Sequence, residues 1–154
     1  MTKKQLVNEL IKYKKLCLVD TLTKLWNRRK LNKDVDIYLS KQLRYNTCYN
    51  IVMIDIDNFK QVNDTKGHLE GDKVLIAVAN ILKNNIRKHE GCYRLSGDEF
   101  ILIVKGNNPM GVIKRIEKRL SKINISISYG ISFIQEGVLD FIDREMYKNK
   151  RRKK

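Results

Sequence analysis

Apolar positions recur along the chain with two different periods, and the switches between them mark out the elements. Leu6, Leu10, Tyr13 and Cys17 lie four, three and four residues apart, which predicts an amphipathic helix over about residues 3–18. Such a helix serves either as a short coiled-coil stub or as a helix packed on its own domain. Asp20-Thr21-Leu22-Thr23 predicts a turn whose polar groups can cap the next element. Leu31, Val35, Tyr38 and Leu39 predict a second helix that starts at Asn27 and fades near Arg44. Tyr49 to Ile56 is a nearly continuous apolar run, the pattern of a strand buried on both faces. A polar loop is predicted from Asp57 to Asp72, then a third helix on Val74, Val78, Ile81, Leu82 and Ile86. Cys92 to Leu95 and Phe100 to Val104 predict two strands joined by the tight turn Ser96-Gly97-Asp98-Glu99. Ile113, Ile116 and Leu120 give a fourth helix.

The period then changes to two. Ile123, Ile125, Ile127, Tyr129, Ile131 and Phe133 alternate with Asn124, Ser126, Ser128, Gly130 and Ser132, which predicts a strand over all of 123–133 with one apolar face. Leu139, Ile142, Met146 and Tyr147 predict a closing helix. Strands separated by helices, with one hairpin in the middle, indicate an α+β fold of ferredoxin-like type.

Composition narrows the class. With 154 residues the chain makes one domain with a proper core. No run approaches the length of a membrane-spanning helix, so no membrane span is expected. Three cysteines, Cys17, Cys48 and Cys92, are too few and too scattered for a disulfide framework or a zinc site, and a reducing cytoplasm is the expected location. The net charge of +15 favours polyanionic partners such as nucleic acid, anionic lipid or nucleoside triphosphates. Six of the last seven residues, Lys148 to Lys154, are basic. The aromatic share of 8% is too small for the stacking surface of a single-strand binder, so no specific nucleic acid is expected.

Two places carry candidate chemistry. Asp55 closes the run Ile51-Val52-Met53-Ile54, where a bare carboxylate is costly to bury, and Asp57 falls on the same side of the strand. A second acidic pair, Asp98-Glu99, occupies the hairpin turn. If the hairpin lies beside the first strand, the acids converge and call for a hard divalent cation, Mg²⁺ or Mn²⁺; otherwise they cap strand ends and face water. The stretch Asn63-Asp64-Thr65-Lys66-Gly67-His68-Leu69-Glu70-Gly71-Asp72 leads into a helix N-terminus. It suits phosphate or base recognition, or is an ordinary capping loop.

Asp20-Thr-Leu-Thr-Lys-Leu-Trp-Asn-Arg-Arg29, Ile54-Asp-Ile-Asp-Asn-Phe-Lys60, Asn63 to Asp72, Arg94-Leu-Ser-Gly-Asp-Glu-Phe100, and Ser128-Tyr-Gly130 with Tyr147-Lys-Asn-Lys150 occur in this order. Together they resemble the GGDEF family of diguanylate cyclases over about residues 20–150. Residues 1–19 then form an N-terminal helix and 20–154 the catalytic domain with a basic tail. The resemblance implies a palm-like sheet that condenses two GTP into cyclic di-GMP and releases pyrophosphate, with two Mg²⁺ or Mn²⁺ per site. It implies Asp55, Asp98, Glu99 and the Ile56 carbonyl as metal ligands, with Glu99, Asp98 and Asp55 catalytic. It implies Asn63 and Asp72 as readers of guanine, and Lys60, Lys150 and Lys154 as phosphate contacts. One GTP per domain implies a transient homodimer with the two substrates facing.

Four departures from the family pattern stand out. Ser96 replaces the usual first glycine, adding a Cβ where positive φ would exclude it. Arg87-Lys88-His89-Glu90 carries Glu where the product-inhibition motif has Asp. The stretch 101–127 is short and lacks a peripheral hairpin. Lys154 stands where an Arg is common. Alternative readings are a GTP-binding regulator without turnover and a cyclase making another cyclic dinucleotide.

Overall fold

The computed structural model describes the backbone of residues 1–152, and their side chains except at 146, 149, 150 and 152. The roles expected of Met146, Lys150 and Lys154 therefore lie outside the described residues. The elements in chain order are α1 (Lys3–Leu16), α2 (Arg28–Tyr45), β1 (Tyr49–Ile56), α3 (Phe59–Lys66), α4 (His68–Asn84), β2 (Gly91–Ser96), β3 (Glu99–Lys105), α5 (Met110–Ser121), β4 (Ile127–Phe133) and α6 (Val138–Arg152). The four strands form one sheet in the order β2-β3-β1-β4, and every neighbouring pair is antiparallel. With the helices between them, this is the ferredoxin-like α+β arrangement that the element order indicates.

β1 is central and buried on both sides, which explains its unbroken apolar run. Val52, Ile54 and Ile56 pack with Phe100 and Leu102 of β3 beneath Leu75, Val78 and Leu82 of α4 and Ile113, Ile116 and Leu120 of α5. Ile51, Tyr93, Ile101 and Ile103 face the other way, against Leu31, Val35 and Tyr38 of α2 and Val138 and Ile142 of α6. Each large aliphatic side chain taken fully out of water contributes roughly 1.5–3 kcal/mol, so these two layers supply the fold's main driving force.

Three expectations change. The polar loop expected at 57–72 is two helices: Asn58 takes a left-handed backbone (φ 55°) on leaving β1, and Gly67 (φ 87°) makes the break between α3 and α4. α3 has no apolar periodicity because it buries only Phe59. The strand expected over 123–133 is shorter. Asn124 is left-handed, Ile125 N–H bonds back to the Leu120 carbonyl at 3.1 Å, and pairing starts only at Ile127. Its apolar face is also not a core face: Tyr129, Ile131 and Phe133 are 38%, 39% and 62% exposed, since β4 ends the sheet. In α1 no residue is buried, and its Asn8, Ile11, Lys12, Lys15 and Leu16 border an open groove with Val19, Lys24 and Trp26. Its N-terminus carries a capping box, Thr2 with Gln5.

The segment before α2 is bolted to the sheet. Asp20 accepts from the Thr23 N–H (2.8 Å) and hydroxyl (2.7 Å), and from Arg94 Nη1 at 3.1–3.2 Å. Burial pushes the Asp20 carboxyl up, but Thr23 and Arg94 outweigh it and hold the group below its ordinary value of 3.8. A carboxyl depressed in the folded state stabilises above its unfolded pKa, and that contribution is lost as pH falls through the folded value. Urea midpoints of the wild type should therefore fall more steeply than those of Asp20→Asn as pH drops below about 4. Parallel pH profiles would count against this clamp.

Candidate active site

The site is built where β1, the β2–β3 turn, α3 and β4 meet. Asp55 sits opposite Glu99 in the β1–β3 register and opposite Ser128 in the β1–β4 register. Ile56 N–H donates to the Asp98 carbonyl at 3.2 Å. Bonded pairs alternate along an antiparallel ladder, so Asp55 and Glu99 form a non-bonded pair, the kind in which side chains come closer. Both are buried, at 8% and 6% exposure. Two like charges directly opposed and shielded from water are unfavourable unless something positive joins them. The Ile56 carbonyl lies on the same edge as its N–H, toward the turn.

A cleft of about 1280 Å³ opens over this end of the sheet, lined among others by Asp55, Asp57, Lys60, Asn63, Asp98 and Ser128. Glu99 lines a smaller recess of about 280 Å³ on the α6 side, which Asp55 also lines, together with Glu145. The four acids thus gather around one strand end but on two sides of it. Among the described residues no three Asp, Glu, His or Cys side chains close on a point that would hold a metal ion. Asp72 is half-buried in α4 and lies outside the cleft lining.

Several residues without an expected role hold the site together. Ser128 Oγ donates to Asp57 Oδ1 at 2.6 Å. Arg94 Nε donates to the Gly97 carbonyl at 2.9 Å, tying the turn to Asp20. Gly71 brings α4 against α3 so closely that a Cβ there would sit 1.9 Å from Asn63 Oδ1. Asn63 can swing away, so Gly71→Ala should keep the fold, with helix propensity even favouring Ala by roughly 0.8–1 kcal/mol. Its cost should appear instead as a several-fold rise in KM for the nucleotide. An unchanged KM with a lower Tm would show that the close contact serves packing alone.

The model of the family described as "Diguanylate cyclase, GGDEF domain" matches residues 17–154. The chain belongs to the GGDEF family. YtrP of Bacillus subtilis is 41% identical over 124 residues, which cover 76% of this chain and 21% of YtrP. The probable diguanylate cyclase DgcJ of Escherichia coli is 35% identical over 146 residues, covering 87% of this chain and 29% of DgcJ. A crystal structure of the diguanylate cyclase SiaD with its activator SiaC, from Pseudomonas aeruginosa, superposes with a TM-score of 0.78 at 28% identity, over 92% of this chain and 60% of that one. The chain thus spans less than a third of the length of these two curated relatives.

In this GGDEF domain the β2–β3 turn does not place its serine in the left-handed region. Ser96 is not among the residues with positive φ; Gly97, at φ 48°, takes the left-handed position. The Ser96 hydroxyl donates to Glu99 Oε2 at 2.9 Å. Glu90 is engaged by backbone, accepting from Arg87 N–H at 2.7 Å and Lys105 N–H at 2.9 Å. Its carboxylate thus closes a turn where the family's inhibitory motif would present an acid.

Proposed function

We propose that this GGDEF domain condenses two GTP into cyclic di-GMP with release of pyrophosphate, one GTP being held by each of two facing domains. The observation that carries the reading is Asp55, buried and opposite the buried Glu99 in the β1–β3 register, lining a nucleotide-sized cleft together with Asp98. Hard oxygen donors, two of them charged and shielded, suit Mg²⁺ or Mn²⁺, which keep part of their coordination for water and substrate phosphates. Asp55, Asp98, Glu99 and the Ile56 carbonyl would hold two such ions per site. When bound, they supply charge neutralisation and activation of an attacking oxygen.

The chain's own residues do the rest. Lys60 offers a point charge to phosphate oxygens. Asn63 and Asp72 present amide and carboxylate to a base edge, and a carboxylate accepts from the adjoining N–H groups of guanine, which adenine lacks in that arrangement. Lys150 and Lys154 are assigned phosphate contacts by the family pattern alone. The Asp57–Ser128 bond and the Arg94 bond to Gly97 keep the strand end and the turn from shifting as charge moves.

Incubation of the purified protein with GTP and Mg²⁺, followed by mass analysis, tests this. The expected product is cyclic di-GMP with two pyrophosphates per molecule, and none from ATP alone. GTP binding without product would replace the cyclase by a nucleotide-binding regulator, and an adenine-containing product would overturn the base assignment.

A further inference from the structure

We propose that the open edge of β4 is a self-complementary seam, at which two copies of this chain join their sheets antiparallel about a two-fold axis at Gly130. The sheet stops at β4. Ile134 N–H donates to the Tyr49 carbonyl at 3.1 Å, and Asp57 N–H donates to the Ser126 carbonyl at 3.0 Å. Bonded pairs alternate, so Ser126, Ser128, Gly130, Ser132 and Ile134 address β1. Ile127, Tyr129, Ile131 and Phe133 turn their N–H and C=O groups to the open edge. Of these groups, the Phe133 carbonyl takes the Ser132 hydroxyl at 3.3 Å.

The same four residues carry the apolar side chains, three of them exposed by 38% or more. β4 has no charged side chain and no proline, the two devices that usually guard an edge against pairing. In a chain of net charge +15, an uncharged strand is also where a second copy meets the least repulsion.

The occupant that fits is another β4. Placing the axis at Gly130 is the one symmetric register that pairs all four outward residues. Ile127 then meets Phe133 of the second copy and Tyr129 meets its Ile131, each twice. Both are apolar cross-strand pairs that join an aromatic to a β-branched residue. Gly130 meets its own copy at a non-bonded position, where strands approach closest, and Ser128 meets Ser132 on the other face. One seven-residue strand falls at the small end of interface sizes, so the dimer is weak and concentration-dependent.

Sedimentation equilibrium of the whole chain between about 10 and 500 µM should show the mass rising toward the dimer. Ile131→Lys, which puts a charge in the seam, should weaken association at least tenfold with an unchanged circular dichroism spectrum. Tyr129→Pro, which deletes one outward N–H and leaves the β1 ladder intact, should do the same. Register is read by disulfide capture with Cys17 and Cys48 replaced by Ser. Gly130→Cys should cross-link to its own copy, the added Cβ meeting only Met53 Cε, at an ordinary 3.6 Å. Ser132→Cys, which faces Ser128, should cross-link far more slowly. A monomer throughout the range overturns the seam. So does a dimer untouched by Ile131→Lys, which would belong to another face such as α1, and so does equal capture at 130 and 132.

Discussion

Asp55→Asn should cut turnover by more than about tenfold while leaving the protein as stable as before, or more so. The substitution keeps the volume of a side chain that is 8% exposed, so no cavity forms. It removes the charge of one of two carboxylates that stand opposite each other in the β1–β3 register, a placement in which like charges are unfavourable. Loss of activity with a gain in Tm is the pattern of a group kept for chemistry rather than for packing. A second readout does not depend on turnover: Mn²⁺ should raise the Tm of the wild type, because a ligand that binds only the folded state stabilises it, and the rise should shrink in the variant. A variant that keeps more than about a tenth of the wild-type rate, or the whole Mn²⁺ shift, would remove Asp55 from the metal-binding set.

Much of this site was legible because local patterns coincide with its parts. β1 showed itself as an apolar run ended by an out-of-place acid, and the β2–β3 turn as a Gly-Asp pair between two apolar stretches. The features that stayed hidden depend on distant partners. That Glu99 turns to the α6 side while Asp98 faces the cleft is a consequence of strand register, which the turn sequence does not encode. α3 is a helix made by its neighbours: Asn58 and Gly67 set its ends, and its polar residues give no period to read. The alternation in β4 was real, yet alternation only says that one face is apolar; whether something covers that face is a matter of strand order. Asp34 gave no signal at all. It is buried in α2, pairs with Lys30 and accepts from Tyr93 Oη at 2.8 Å, a partner 59 positions away. Burial, and after it that bond, push the Tyr93 hydroxyl far above its ordinary range. This polar knot fixes α2 on the sheet face opposite α4 and α5, and no pattern in either segment announces it.

Specific activity should rise nearly in proportion to protein concentration in the low micromolar range, because one domain holds half of the reaction. α1 has 14 residues, about the length at which an isolated helix is marginal in water. Its Leu6, Leu10 and Tyr13 are exposed, a seam with too few heptads to hold two copies firmly. The +15 charge adds repulsion between copies, screened at physiological salt beyond roughly 8 Å. The β4 seam does not substitute for the catalytic encounter, since antiparallel pairing puts the two clefts at opposite ends of the joined strands. Fusing a strong parallel coiled coil ahead of Leu18 converts the meeting of domains into an intramolecular event, where effective concentrations reach the millimolar range. The fusion should therefore raise activity at 1 µM by well over about tenfold and flatten its concentration dependence. If a strictly monomeric protein shows constant specific activity over the whole range, two facing domains are not needed, and the chemistry belongs to one cleft.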